Sequence, residues 1–350
     1  MDGSQIREAT LELERTLSEA SPLARALYYT GPRRSELRNV EIATLTRADN
    51  RDDYVMVKTA FSGISRGTER LVFEGRLPQS EWERMRCPNQ DGSFPFPVKY
   101  GYAAVGVVEE GPRNLVGKTV FLLHPHQDHF VLPASDIVLV PERVPPRRAT
   151  LAANMETALN ALWDSGATAG QRIVVIGGGI VGCLIAALAG GMPGAEVTLV
   201  DIQPARAPLA EALGVRFALP GEAGAASGAD VVFHTSATEA GLRLALDLAG
   251  FEALLVEVSW FGEKQISLPL GGAFHSQRLQ ILSSQVGNVS PKVRARWPYR
   301  RRLETALRLL DDARLDALIT EEIAFEDLPS ALPRILAADA PGLATAIRYG

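Results

Sequence analysis

Cysteine is nearly missing from this 350-residue chain, which carries only Cys87 and Cys183. Two thiols far apart in sequence cannot build a multi-bridge disulfide framework, and they fall short of the four thiolates of an all-cysteine structural zinc lobe. The chain therefore reads as the product of a reducing compartment, and a cytoplasmic location is expected. Long hydrophobic runs are also missing: no stretch of about 18 apolar residues occurs. The N-terminus opens on Met1-Asp2-Gly3-Ser4-Gln5, where a secretory signal would place basic residues and then an apolar core. Nor is there a basic excess, since 36 Lys and Arg stand against 41 Asp and Glu, a net charge of -5. Without a basic field, nucleic acid and membrane are not the expected partners, and a small-molecule substrate is. Hydrophobic residues at 46% and charged residues at 22% exclude a disordered or fibrous chain.

What is present is organised in two textures. A length of 350 residues against about 150 per domain gives two domains or one large one. Residues 1 to 20 carry a short polar helix pattern (IREATLELERTL) with a thin apolar stripe. From Ala26 to Val140, short apolar runs separated by Gly, Pro and Asp (YVMVKTAF, AAVGVVEEG, TVFLL, DIVLVP) predict a β-rich, partly barrel-like unit. From about 152 the pattern changes to strict alternation. RIVVI (172–176), EVTLVD (196–201), DVVFHTS (230–236) and ALLVEVS (253–259) predict strands separated by helices, hence a parallel sheet with right-handed crossovers. The closing segment, with a helix at RRLETALRLLDD (301–312), is too small for its own core and is expected to return to the first unit.

The strongest chemical signal is Gly177-Gly178-Gly179-Ile180-Val181-Gly182, a G-x-G-x-x-G between a predicted strand and an apolar helix. Gly177 permits the tight turn, Gly179 lets a pyrophosphate approach the backbone, and Gly182 allows close helix–strand packing. Unpaired N–H groups and the positive dipole end at Ile180 and Val181 would receive the phosphates. Asp201 ends the next strand about 20 residues on, where an acidic side chain binds ribose hydroxyls. A carboxylate there repels a 2′-phosphate and favours NAD over NADP, while Arg206 softens that preference.

These features together resemble the medium-chain dehydrogenase/reductase superfamily, the zinc alcohol and polyol dehydrogenase group, over about 26–350. Ser62-Gly63-Ile64-Ser65-Arg66-Gly67-Thr68-Glu69 is similar to that family's Cys-Gly-Ile-Cys-Gly-Thr-Asp with one inserted residue. Tyr100-Gly101-Tyr102-Ala103-Ala104-Val105-Gly106-Val107-Val108 is similar to its Gly-His-Glu-x-x-Gly-x-Val segment, and Met155-Glu156-Thr157-Ala158 falls where polyol dehydrogenases carry Glu-Pro-Leu. The phrasing also loosely resembles the bacteriochlorophyllide dehydrogenase-like subgroup. The resemblance implies an α/β chain in which a Rossmann doubly wound NAD(P)-binding domain (152–288) is inserted in a β-rich GroES-like catalytic domain (1–151 and 289–350). It also implies cofactor contacts from Ser236, Ser259, Ser284 and Gln285, and a homodimer formed along an edge of the nucleotide domain at FEALLVEVS.

The departures define the expected chemistry. In this comparison the family's first zinc-ligand Cys is Ser62, its His is Tyr102, and only Glu156 keeps a ligand type. Zinc needs about three N, S or O ligands plus an open position, so a member without catalytic zinc is expected. A hydrogen-bond donor must then stabilise the alkoxide. Tyr102 is the first candidate, the other reading being an aromatic that fills the metal's space. Ser62 and Ser65 are further candidates, with Glu156 as a partner. His124 and His126, in His124-Pro125-His126-Gln127-Asp128-His129, read as pocket proton carriers, as a metal site or as structural histidines. The run Lys292, Arg294, Arg296, Arg300, Arg301 and Arg302 reads as a solvated face or as a receiver for an anionic substrate. The expected activity is hydride transfer between nicotinamide and an alcohol or carbonyl. The alternatives are a zinc-free enone or quinone reductase and a catalytically inactive NAD(P)-binding sensor.

Overall fold

The computed structural model describes residues 23–42 and 53–350; the helix expected within 1–20 lies outside the described residues. Strands β1 (Leu23–Gly31), β2 (Arg34–Glu41), β3 (Tyr54–Ile64), β4 (Asp91–Gly92), β5 (Val98–Lys99), β6 (Ala104–Glu110), β7 (Thr119–Leu122), β8 (His129–Pro133) and β9 (Val138–Leu139) come first. They divide between a four-stranded sheet in the order β2-β1-β5-β4 and a seven-stranded one in which β3 pairs with β6 and β8. The apolar alternation of β3 buries Val55 and Val57, as a half-buried strand requires. A register shift between Thr59 and Phe61 then reverses the phase. Ser62 and Ile64 consequently face inward, because an extra residue in a ladder exchanges the two faces of the strand beyond it.

A six-stranded parallel sheet follows: β10 (Arg172–Ile176), β11 (Glu196–Val200), β12 (Arg216–Ala218), β13 (Ala229–His234), β14 (Ala249–Glu257) and β15 (Gln280–Ser283). Its order is β12-β11-β10-β13-β14-β15. Strand order reverses between β10 and β13, and in such doubly wound sheets the crevice at that reversal is where ligands bind. RIVVI is buried along Ile173–Ile176, as expected of a strand covered on both faces by helices. Ile180–Gly190 and Glu239–Leu248 are two of the crossover helices.

The chain then returns. β16 (Ile319–Ala324) runs parallel to β17 (Ala344–Arg348), and β17 pairs antiparallel with β3. The polypeptide thus leaves the antiparallel sheet, builds the parallel one and comes back to complete the first. One apolar cluster runs through both, joining Ala103, Val105 and Phe121 to Ile173, Leu184 and Phe233.

Two sequence expectations need correction. DIVLVP contributes only the short strand Val138–Leu139. FEALLVEVS is not an edge: β14 pairs with β13 on one side and β15 on the other. The edge is β15, whose four residues are all exposed.

The tightest packing lies where β10 meets its helix. A Cβ built at Gly182 would overlap the carbonyl oxygen of Gly177 and meet Thr235 Oγ1 at 2.6 Å. Gly182→Ala should therefore destabilise the fold by about 2–4 kcal/mol through overpacking, read as a lower denaturation midpoint.

Candidate active site

The glycine loop has the shape its spacing calls for. Gly177 sits at φ 109, in the region that favours glycine, and a Cβ there would meet Thr235 Oγ1 at 2.7 Å and Ser236 N at 2.8 Å. Gly179 is exposed, and a Cβ there would meet nothing within 4 Å. It caps the helix Ile180–Gly190 in extended conformation, so the helix's unpaired N–H groups open onto free space. Ile180 and Val181 are half-buried in the first turn. Asp201 is held by two backbone donors: Gly178 N–H donates to Oδ2 at 2.6 Å and Gln203 N–H to Oδ1 at 2.8 Å. A side chain at Gly178 would crowd Asp201 Oδ2 at 3.1 Å, a constraint the spacing rule does not reveal. These groups fit a dinucleotide, with an open cradle for phosphate and a fixed carboxylate for ribose.

Arg206 lies beside this loop, its Cγ 3.4 Å from a Cβ built at Gly178, and donates to the Pro341 carbonyl at 3.2 Å. Arg66, the inserted residue of the GISRGTE motif, donates to the Ala340 and Gly342 carbonyls. Its acidity is strengthened by burial and then by the charges of Arg70 and Arg206. Three guanidiniums therefore gather at one loop, Leu336 to Gly342. Sequence reading passed over Arg66 and Arg70, whose only signal was the insertion itself.

Tyr102 follows the positive-φ Gly101 at the start of β6 and is half-buried. It packs between two apolar clusters, the one that runs through both units and the one around Tyr29 and Phe73 in the antiparallel unit. Burial pushes the phenol up to about 12, against the opposing effect of the neighbouring Ser65 and Thr68 side chains. A hydroxyl has two lone pairs and one proton. Such a group can accept from a neighbour and still donate its own proton.

Beneath this group lies a closed polar network. Ser62 Oγ is 2.8 Å from His126 Nδ1 and 2.9 Å from the Tyr349 hydroxyl. His126 Nε2–H donates to Glu69 Oε2 at 3.0 Å, Tyr29 O–H to the same oxygen at 2.9 Å, and Ser65 N–H to Oε1 at 2.7 Å. Ser62, Glu69 and His126 are fully buried, and their polar atoms have found the partners burial requires. The structure thus brings Ser62, Ser65, Tyr102 and His126 together. It adds Thr68 and Glu69, which stood inside the quoted motif, and Tyr349, which carried no sequence signal.

His124 and Glu156 are not part of that group. His124 stacks on Phe130 with ring centroids 4.0 Å apart, and its Nδ1 is 2.9 Å from the Pro125 carbonyl oxygen. Glu156 accepts from Arg302 Nε at 2.9 Å, both side chains being buried. It begins a ladder along one helix face: Arg302 also donates to Asn160 Oδ1, Asn160 to Asp164 Oδ2, and Ser284 Oγ to that same Asp164 oxygen at 2.7 Å. Ser284 therefore turns its hydroxyl into the ladder, and Gln285 next to it is exposed. Ser236 and Ser259 end strands β13 and β14 beside His234. Lys292, Arg294, Arg296, Arg300 and Arg301 are exposed, Arg301 lying over the Trp297 ring at 3.8 Å. Among the described residues, no three or more His, Cys, Asp and Glu are grouped so as to hold a metal, and no helix is long and apolar enough to cross a membrane.

No family model matches the chain. A zinc-type alcohol dehydrogenase-like protein of Haemophilus influenzae is 28% identical over 210 residues, 57% of each chain. D-xylulose reductase A of Aspergillus niger is 28% identical over 148 residues, 41% of each chain. Galactitol-1-phosphate dehydrogenase of Escherichia coli superposes with a TM-score of 0.74 at 17% identity, covering 93% of this chain and 99% of the other. Its homologues are zinc-type alcohol dehydrogenase-like and polyol dehydrogenases. The fold is that of the medium-chain dehydrogenase/reductases, a Rossmann sheet inserted in a GroES-like unit. The chain spans little more than half the length of the first of these curated relatives.

Within this medium-chain dehydrogenase fold, two titratable groups give direct tests. Burial holds the His124 imidazole down at about 3. Below about pH 6.5 the unfolded chain takes up a proton that folded His124 refuses until about pH 3, so stability should fall with pH across that window. Denaturation midpoints measured against pH should show a shallower slope in His124→Gln. Glu156→Gln would leave Arg302 buried without its counter-charge and should cost about 3–5 kcal/mol in unfolding experiments, with dinucleotide affinity unchanged.

Proposed function

We propose that this chain is an NAD(P)-dependent oxidoreductase that moves hydride between nicotinamide and an alcohol or carbonyl substrate without a catalytic zinc ion. The observation that carries the reading is the open glycine loop with the Asp201 carboxylate fixed beside it, in a fold whose antiparallel unit packs Tyr102 on the same continuous apolar core as the glycine-loop helix. The dinucleotide, when bound, supplies the hydride donor or acceptor. Gly177, Gly179 and Gly182 make room for its phosphates, Asp201 takes a ribose, and Arg66 and Arg206 supply positive charge nearby. The Asp201 carboxylate supports NAD as the preferred form, since it repels a 2′-phosphate.

The donors at the resembling metal positions do not fit zinc, which takes thiolate, imidazole or carboxylate ligands. Ser62 is committed to His126 and Tyr349, Ser65 and Tyr102 offer hydroxyls, and Glu156 is committed to Arg302. Tyr102 instead holds its proton throughout the neutral range, because its phenol is pushed up to about 12. It donates a hydrogen bond to the substrate oxygen and stabilises the charge that develops there. Ser65 and Thr68, which lie close enough to influence the phenol, are the neighbours that would aim that donor. The exposed arginines after β15 support an anionic small molecule as substrate, and the net charge of -5 speaks against nucleic acid or a membrane surface as partner. The bare edge β15, with Ile281 40% and Leu282 38% exposed, supports pairing with a second copy of the chain.

A second reading, conjugate reduction of an enone, draws on the same hydroxyl-only donor set, because it needs less carbonyl polarisation. Oxidation of members of an alcohol panel with NAD, unaffected by a chelator, is the expected outcome, and alkene reduction alone would favour the second reading. Activity lost on chelation and restored by zinc would overturn the zinc-free assignment. Tyr102→Phe should lower kcat about 10²-fold while NADH binding, followed by fluorescence, stays the same.

A further inference from the structure

His234 ends β13 fully buried, yet it belongs to no apolar contact alone. Its Nδ1–H donates to Glu257 Oε2 at 2.6 Å, and its Nε2 lies 2.7 Å from Ser236 Oγ. Glu257, the last residue of β14, accepts at its other oxygen from both Ser259 N–H, at 2.8 Å, and Ser259 O–H, at 2.6 Å. Ser236 in turn lies 2.8 Å from Thr238 Oγ1, which accepts from Gly241 N–H at the start of the helix Glu239–Leu248. Phe261 covers the imidazole face, its ring stacked at 5.9 Å.

A carboxylate only accepts, so Nδ1 carries the proton that binds Glu257, while Nε2, Ser236 Oγ and Thr238 Oγ1 continue the chain at hydrogen-bond distance. One imidazole and one carboxylate thereby join the turn after β13 (235–238) to the turn after β14 (258–262). The first of these turns contains Ala237 at φ 51, a left-handed conformation that a residue with a Cβ keeps only when its surroundings over-determine it. Its flanking residues, Ser236 and Thr238, are the ones the network holds.

Position gives this latch a use. Both turns lie at the carboxyl ends of strands, β13 stands directly across the strand-order reversal from β10, and Ser236 N approaches Gly177 closely enough that a Cβ there would meet it at 2.8 Å. With phosphates on the glycine loop and one ribose at Asp201 on the β11 side, the second nucleoside of a dinucleotide must lie over β13 to β15.

Resting on the dinucleotide reading above, we propose that His234 and Glu257 are positioning residues for the second, nicotinamide-bearing half of the cofactor. Their buried pair locks the two turns on which that half rests. The adenosine half, held by Asp201 and the glycine loop, does not depend on them.

Binding of NADH and of ADP, which lacks the second nucleoside, separates the two halves. Both are measured by titration on wild type, Glu257→Gln, His234→Phe and the less buried Ser236→Ala. NADH affinity should fall about 5–20-fold in each variant, ADP affinity should hold, and Glu257→Gln combined with Ser236→Ala should cost little more than either alone. Parallel losses for NADH and ADP, or unchanged NADH binding in Ser236→Ala and Glu257→Gln, would overturn the assignment while leaving the dinucleotide reading intact. Wild-type protein that binds neither NADH nor NADPH would overturn both.

Discussion

The contact on which the rest of the molecule depends is the seating of Gly182 on the carbonyl of Gly177 and the hydroxyl of Thr235. Only a residue without a side chain lets the helix Ile180–Gly190 come this close to β10 and β13. Once it does, the ends of three neighbouring strands are brought into one surface. Asp201 is drawn in by the Gly178 N–H, the turn after β13 is pressed on Gly177, and the helix N-terminus opens beside the unobstructed Gly179. Close packing here brings backbone donors to the surface without covering them, which is what the proposed dinucleotide site needs for phosphate.

Around that cradle, polar side chains join the two units of the chain. The face of the helix Ala152–Ser165 that carries Glu156, Asn160 and Asp164 at fourfold spacing meets Arg302 and Ser284, so the return segment and the parallel sheet are tied to one helix. The antiparallel unit holds a separate network around Glu69 and His126. Each buried charge has several donors or a counter-charge, which is the condition for leaving ionic groups in a low-dielectric interior.

Much of this was legible in the sequence. Local periodicity determined the strands RIVVI and EVTLVD, the helix after the glycines, and the alternation that makes a parallel sheet, since each depends on residues a few positions apart. The tight turn at the glycines and the position of Asp201 at the end of the next strand were likewise legible, because both follow from spacing within a single strand–helix–strand unit. The expected edge strand was misplaced because apolar content alone does not distinguish β14, paired on both sides, from β15.

The inward turn of Ser62 depended on the register shift in β3, which no alternation rule locates. Glu156 and His126 both stood among the candidate site residues; only the fold decided that one meets Arg302 and the other Glu69. Tyr349 joined the site from the far end of the chain, and His234 found Glu257 across two adjacent strands. The sequence by itself therefore determined which elements form and where a dinucleotide-shaped loop lies. The tertiary structure decided which side chains are free to act, because hydrogen-bond partners are set by strand pairing and helix packing between residues far apart in sequence.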